Sequence, residues 1–204
     1  MNTDLTQVLG LLRLARALKS VRRQGWVDRG VEDPESVADH SWSVALMAWL
    51  LAADRPDLDR QRVLLLGLVH DLPEAIAGDE TPFDMHRDHT GAIDPQLFDN
   101  PPTYPQEARQ RKQQREAAAL DEMLTGLPEN IVEDVRSAWF EYDLAQSAEA
   151  RFVKQVDKLE TAMQAIDYRH LQPDLVIESF LLGAARDIDD ELLSALLQAE
   201  TEQS

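Results

Sequence analysis

The sequence contains no cysteine. That excludes a disulfide framework, a thiolate nucleophile and any zinc or iron–sulfur site built on sulfur ligands. It agrees with a cytoplasmic location, where thiols would stay reduced. Glycine is scarce, at 8 of 204 residues, and aromatics make up 6%, so with Ala, Leu and Glu abundant, helix is favoured over sheet. Positive charge is also short: 20 Lys and Arg face 38 Asp and Glu, a net −18. Such a chain repels the phosphate backbone of DNA or RNA and anionic membranes, so neither a nucleic-acid polymer nor a membrane is an expected partner. Long hydrophobic runs are missing as well. The longest, Val44 to Ala53, falls far short of the roughly 20 residues a bilayer needs. Arg13, Arg16 and Lys19 interrupt the N-terminal segment, which is expected to be an amphipathic helix and not a signal peptide.

What is present suits one all-α domain over residues 1–204. Leu5, Val8, Leu9, Leu12 and Ala15 form a helical stripe, with Arg13, Arg16 and Lys19 on the solvated face. A loop follows from Gly25 to Pro34, and Ser36 is placed to cap a helix from Val37 to about Ala53. That helix is apolar on almost every side, with Trp42 and Trp49 expected in the core. Asp59 opens a third helix that runs to His70–Asp71, where Pro73 breaks it before a turn at Gly78. Thr81 to Pro105 forms a long proline-rich loop, of the kind that is usually functional. Helices resume at 106–124, 129–144, 147–171, 174–182 and 189–199, the last two expected to pack on a core of about 35–160.

The unusual feature is polar residues inside apolar helices. His40 shares a face with Val37, Val44, Met47 and Leu51, and His70–Asp71 ends an otherwise apolar or glycine stretch from Val63. A buried carboxylate is costly unless compensated, and a divalent cation compensates it directly. Imidazole with carboxylate suits a transition metal such as Mn or Co better than calcium. The alternative is that each histidine is a satisfied core residue.

His40, then His70–Asp71, then a later Asp is the order found in HD-domain metal-dependent phosphohydrolases. The segments ESVADHSWSVALMAWLLA (35–52), LVHDLPEAIAGDETP (68–82) and SAEARFVKQVDKLE (147–160) resemble the 5′-deoxynucleotidases and the related HD domain-containing protein 2 group. The resemblance implies an HD-domain helical bundle, a homodimer, and one divalent metal held by His40, His70, Asp71 and Asp157. It further implies catalytic roles for Glu74 and Asp79, undivided between them, and a nucleoside 5′-monophosphate substrate contacted by Trp26, Arg29, Asp79 and Thr81. Periodicity alone says otherwise of Asp157: the apolar stripe of its helix is Phe152, Val156, Leu159, Met163 and Ile166, and Asp157 points away from it, as a solvent-facing carboxylate would. As a ligand it requires a helix covered on both sides, with Val153, Thr161 and Gln164 toward the pocket.

Other features are weighed more plainly. Residues 1–30 hold six basic residues (Arg13, Arg16, Lys19, Arg22, Arg23, Arg29) against Asp4 and Asp28, a local +4 that could face one phosphate. The bacterial deoxynucleotidases that the chain resembles carry Arg before the Trp; here it is Gly25, as in the HD domain-containing protein 2 branch. His86 and His89 are expected to be exposed loop residues, and Arg109, Arg111, Lys112 and Arg115 the solvated side of their helix, with a place bordering the pocket as the alternative. Competing readings are a phosphohydrolase for another nucleotide or small phosphate ester, and a non-catalytic HD protein that binds a nucleotide or a protein.

Overall fold

In the computed structural model, which describes residues 5–203, local signals set most helix starts. α1 (Leu5–Ala17) and the one-turn α2 (Gln24–Val27) lead to α3 (Val37–Leu51). Ser36 caps α3 through a capping box: its hydroxyl accepts the Asp39 N–H while the Asp39 carboxylate accepts the Ser36 N–H. Asp59 caps α4 (Arg60–Val69) by accepting the Gln61 and Arg62 N–H groups. Pro73 then starts the short α5 (Glu74–Ala77), which Gly78 closes at φ 76°, a conformation that costs a glycine nothing. α6 (Gln106–Leu124), α7 (Glu129–Asp143), α8 (Ala148–Leu171, capped by Ser147), α9 (Glu178–Asp187) and α10 (Glu191–Gln203) complete the order. Among the described residues there is no β-strand, only an isolated bridge between Arg22 and Ser36. No helix of these is long and apolar enough to cross a membrane.

α8 is the axis. It packs against α3, α4, α7, α9 and α10, and Val153, Val156, Leu159 and Ala162 are fully buried with Val44 and Ala48 of α3 and Leu66 of α4. Each large aliphatic side chain buried there contributes about 1.5–3 kcal/mol. α3 and α4 approach most closely at Gly67, where a β-carbon would stand 2.7 Å from the Ala45 Cα. A second cluster joins α1, α6 and α7 around Leu120, Leu124 and Trp139. A third holds Trp26, Ile166 and Ile177.

Four expectations are corrected by this packing. α1 turns Val8, Leu11, Leu14 and Ala15 inward, while Leu5, Leu9 and Leu12 are 73%, 51% and 52% exposed. Its leucines permit more than one apolar stripe, and the neighbouring helices choose. Trp42 and Trp49 are not core: α3 is covered on one side only, leaving them 64% and 37% exposed. Gly25 belongs to α2 and not to a loop. The helix expected from residue 174 begins at Glu178, and the last one shifts to Glu191–Gln203. The 81–105 segment folds as a roof with its own small core of Phe83, Ile93 and Phe98.

Candidate metal centre and its cavity

His40 lies in the first turn of α3, and His70 and Asp71 sit where α4 stops. One ligand atom of each lies within 4.8 Å of the others. His70 Nε2 is 3.2 Å and His40 Nε2 is 3.8 Å from Asp71 Oδ2, and His40 Nε2 is 3.2 Å from Asp157 Oδ1. Donors about 2.1 Å from a shared ion stand about 3.0–3.4 Å apart, so most of these separations are those of one coordination shell. His40, His70 and Asp71 thus form one cluster, and Asp157 stands against its His40 side. Asp157 is 9% exposed and accepts a hydrogen bond from the Tyr142 hydroxyl at 3.1 Å, against its solvent-facing periodicity. The reason is that α8 is buried around most of its circumference, so no single stripe marks its inner side. Thr161 faces the cavity, whereas Val153 is in the main core and Gln164 is not part of the cavity wall.

The far side of each ring fixes its tautomer. His70 Nδ1 donates to the Gly67 carbonyl at 2.8 Å, and because a carbonyl only accepts, Nε2 is left with a lone pair. His40 Nδ1 pairs with Glu160 Oε2 at 2.7 Å, the carboxylate–histidine arrangement that orients metal ligands. Both Nε2 atoms are buried without a hydrogen-bond partner. Two orphaned imidazole nitrogens among carboxylates fit a divalent cation, and the N/O donor set favours a transition metal.

The field points the same way. Burial and Arg23 disfavour charge on His40, but Asp157 and Glu160 outweigh them and push its pKa up to about 10. Burial opposes ionisation of Asp71, yet His70, Arg23 and His40 hold its carboxyl below the usual range. Asp157 is likewise held down, by Lys158 and His40 against burial. The pocket favours positive charge at His40 and keeps both carboxylates ionised.

Glu74 is 2% exposed, and its Oε2 has no partner. Burial, then the charges of Asp71 and Asp79, raise its pKa well above the ordinary value. Asp79 accepts the Gln24 N–H at 2.8 Å and lies 3.6 Å from Arg23. Arg23 also reaches Asp71 Oδ2 at 3.3 Å. Lys112, expected on a solvated face, instead turns inward: its Nζ lies 3.6 Å from Glu74 and 3.2 Å from Glu116, and donates to the Glu80 carbonyl at 3.1 Å. Arg109 also lines the cavity, Arg115 pairs with Glu80, and Arg111 is exposed. His86 and His89 are exposed, as expected.

These groups surround a cavity of about 680 Å³, roofed by the 81–105 segment and including Trp26, Arg29, Asp79 and Thr81 in its wall. A volume of that size suits a small-molecule ligand. Trp26 is buried, its Nε1 donating to Glu35 at 2.9 Å and its ring 4.4 Å from that of Phe180. The Arg29 guanidinium is sandwiched between Phe98 at 4.0 Å and Phe180 at 4.1 Å. It donates to the carbonyls of Gly25 and Val176 and to Ser179 Oγ, so most of its hydrogen-bonding capacity ties the α2 segment to the start of α9. A β-carbon at Gly25 would meet the Phe180 ring at 3.3 Å, which leaves an arginine there no room unless Phe180 moves. Thr81 is tied to Asp84 by its N–H at 3.0 Å. Sequence reasoning missed Glu160 and the inward turn of Arg23, and gave Lys112 a place at the pocket only as an alternative; Glu160 could have been suspected from its place three residues after Asp157, on the same face of α8.

The HD domain family profile matches residues 15–195. The mouse protein named 5′-deoxynucleotidase HDDC2 is 35% identical over 199 residues, covering 97% of this chain and 88% of that protein. The human protein of the same name is also 35% identical, covering 97% and 86%. Among solved structures, a protein from Pyrococcus horikoshii has a TM-score of 0.69 at 26% identity, covering 96% of this chain and 99% of that one. A match of this extent runs through every helix that contributes to the cavity. The chain belongs to the HD domain family.

Proposed function

We propose that the chain is a metal-dependent phosphomonoesterase that hydrolyses nucleoside 5′-monophosphates, deoxynucleotides foremost, to nucleoside and phosphate. The observation that carries this reading is the meeting, at one cavity wall formed by His70, Asp71, Asp157 and Glu74 with His40 behind it, of two orphaned histidine nitrogens, two ionised carboxylates and the unclaimed oxygen of Glu74. Relatives named 5′-deoxynucleotidase support the substrate class. His40, His70, Asp71 and Asp157 would hold the ion, with Mn or Co favoured by the donor set. A divalent cation in this setting supplies positive charge against the phosphoryl oxygens and makes an attacking water more acidic.

The chain's own residues do the rest. Gly67 and Glu160 keep the histidine rings oriented, and Tyr142 fixes one oxygen of Asp157. Burial and the charges of Asp71 and Asp79 favour the protonated form of Glu74. As water attacks phosphorus and the bond to the 5′-oxygen breaks, Glu74 delivers that proton to the leaving oxygen, and Lys112 at 3.6 Å steadies the carboxylate that remains. Asp79, already engaged by Gln24 and Arg23, positions the α2 segment against the site. The roof excludes water around the ester.

The test is a phosphate-release panel over ribo- and deoxynucleoside monophosphates with several divalent ions. Release from deoxynucleotides that is abolished by a chelator and restored by Mn or Co is expected; release indifferent to chelation refutes the reading.

A homodimer and a cytoplasmic location complete the proposal. Trp42, Leu46, Trp49 and Leu50 of α3 and Leu64 and Leu68 of α4 are exposed on adjoining helices, with Arg60 stacked 4.2 Å over Trp49 between them. From Ser41 to Leu51 α3 carries no charge. In a chain of net −18 this face is where two copies can meet without opposing acids. Light scattering should give twice the chain mass, and a monomer would exclude the dimer. The absence of cysteine supports the cytoplasm, which fractionation tests.

A further inference from the structure

The cations that line the cavity fall into two groups. Arg23 faces Asp71 and Asp79, Lys112 faces Glu74 and Glu116, Lys158 lies 3.5 Å from Asp157, and Arg186 pairs with Asp187. Arg29 is held between aromatic rings and protein acceptors. Lys154 is different. It is half-buried in the same wall, yet makes no ion pair and no hydrogen bond with the described residues; its ammonium lies 4.2 Å from the centre of the Tyr142 ring. Arg109 also makes no ion pair with the described residues, but it is exposed.

In a chain with 38 acids against 20 bases, a half-buried lysine without a carboxylate beside it is an anomaly. Desolvating an ammonium is costly, and an aromatic face compensates only part of that cost. Its place is equally specific. Lys154 is three residues before Asp157, on the same side of α8. The Tyr142 ring beneath it packs 5.0 Å from His70 and its hydroxyl donates to Asp157, so one ring separates the ammonium from the metal donors. Burial lowers the Lys154 pKa, only partly offset by Asp157 and Asp143 at longer range: the site is short of negative charge at that point.

We infer that Lys154 is the phosphate-gripping residue of the cavity, its ammonium donating to a non-bridging oxygen of the substrate's phosphate. This rests on the proposed phosphomonoesterase activity for its substrate, though not for its test. A lysine serves here as a point charge that recognises the dianion without dictating its orientation. It also discriminates: a nucleoside stripped of its phosphate loses this contact, so the nucleoside product is held less tightly than substrate.

The probe is inorganic phosphate, titrated calorimetrically into Mn-loaded protein. Lys154→Met should weaken phosphate binding about 10- to 100-fold, the worth of one charge-assisted hydrogen bond. Lys154→Arg should stay within about threefold of the parent, and Mn content and melting temperature should be unchanged in both. Lys154→Gln, closer in shape, serves if the methionine variant does not fold. Phosphate affinity unaltered in the neutral variants, or no phosphate binding by the parent protein, overturns the inference, as does loss of Mn along with phosphate. A parent that binds phosphate through Lys154 yet releases none from any nucleotide refutes the activity and leaves the phosphate site standing. A parent that hydrolyses nucleotides while Lys154→Met binds phosphate normally does the reverse.

Discussion

Gly67→Ala is a one-methyl change that should be felt at the metal centre. In isolation the change favours α4, because alanine is about 1 kcal/mol better than glycine inside a helix. The structure reverses the sign. The new β-carbon would stand 2.7 Å from the Ala45 Cα and 3.1 Å from its N and Cβ, and ordinary contact begins at 3.4 Å. Relief requires α3 and α4 to part by about 0.7 Å, and the obstacle is backbone, which cannot rotate away. Overpacking of this kind costs about 1–3 kcal/mol, which leaves a net destabilisation of up to about 2 kcal/mol. For a chain of this size that lowers the melting temperature by at most about 4–8 °C. The two helices also carry His40 on one side and His70–Asp71 on the other, and the Gly67 carbonyl accepts from the His70 ring. Separations of that size exceed the roughly 0.5 Å tolerance of a metal site, so Mn affinity should fall at least about tenfold. Calorimetric melting and Mn titration of the variant measure both. A melting temperature equal to or above the parent's, with Mn affinity intact, would show that the helix gain prevails and that the close approach does not set the site.

Asp157→Asn should cut Mn affinity by about 10- to 100-fold with the fold retained, since the amide keeps the volume and the Tyr142 contact; intact affinity would return Asp157 to the role its periodicity suggests. Glu74→Gln should hold Mn within about threefold of the parent and lose about 10²- to 10⁴-fold in turnover, and a loss of Mn instead would make it a ligand and not a proton carrier. Metal uptake should depend on pH with a definite sign. With the His40 pKa at about 10 in the metal-free protein, a proton must leave the ring at every pH below that, so affinity should rise about tenfold per pH unit from about pH 6 to 9. Titration in buffers of different ionisation enthalpy should count about one proton released at neutral pH, and an affinity flat across that range would contradict the shift.

The parts of the fold visible beforehand are those decided locally. Ser36, Asp59 and Ser147 cap helices because a short polar side chain and the next turn's N–H groups are all that a cap requires. The faces of α1 and α3 were not local questions. A helix apolar on most sides carries no instruction about which side meets solvent, so Trp42 came out exposed and Leu11 did not. The site divides in the same way. His40 and His70–Asp71 stood out as polar residues on apolar faces, whereas Asp157 lay off its stripe and needed the family's wording to be noticed. Lys112 sits in a run of bases indistinguishable by spacing; only the return of Glu80 and Glu74 beside α6 sets it apart. Glu160 acts across 120 residues of chain, a partnership that no window of sequence contains.

The charge balance acquires a different meaning once it is divided in space. Seven of the 20 Lys and Arg line the cavity, against eight of the 38 Asp and Glu, so with every side chain counted as ionised its wall carries a formal net −1 while the rest of the chain carries −17. A divalent cation at the four donors turns that wall to +1, and a phosphate dianion then leaves it at −1 again. The cavity is thus close to neutral through a cycle of binding and release, inside a surface that is strongly acidic. A polymer of phosphates would have to lie along that surface and is repelled by it, whereas a mononucleotide meets it only at the mouth. The same partition explains why one unpaired lysine can matter: where each of the other buried cations is already neutralised or walled in, Lys154 is the charge left for the substrate to neutralise.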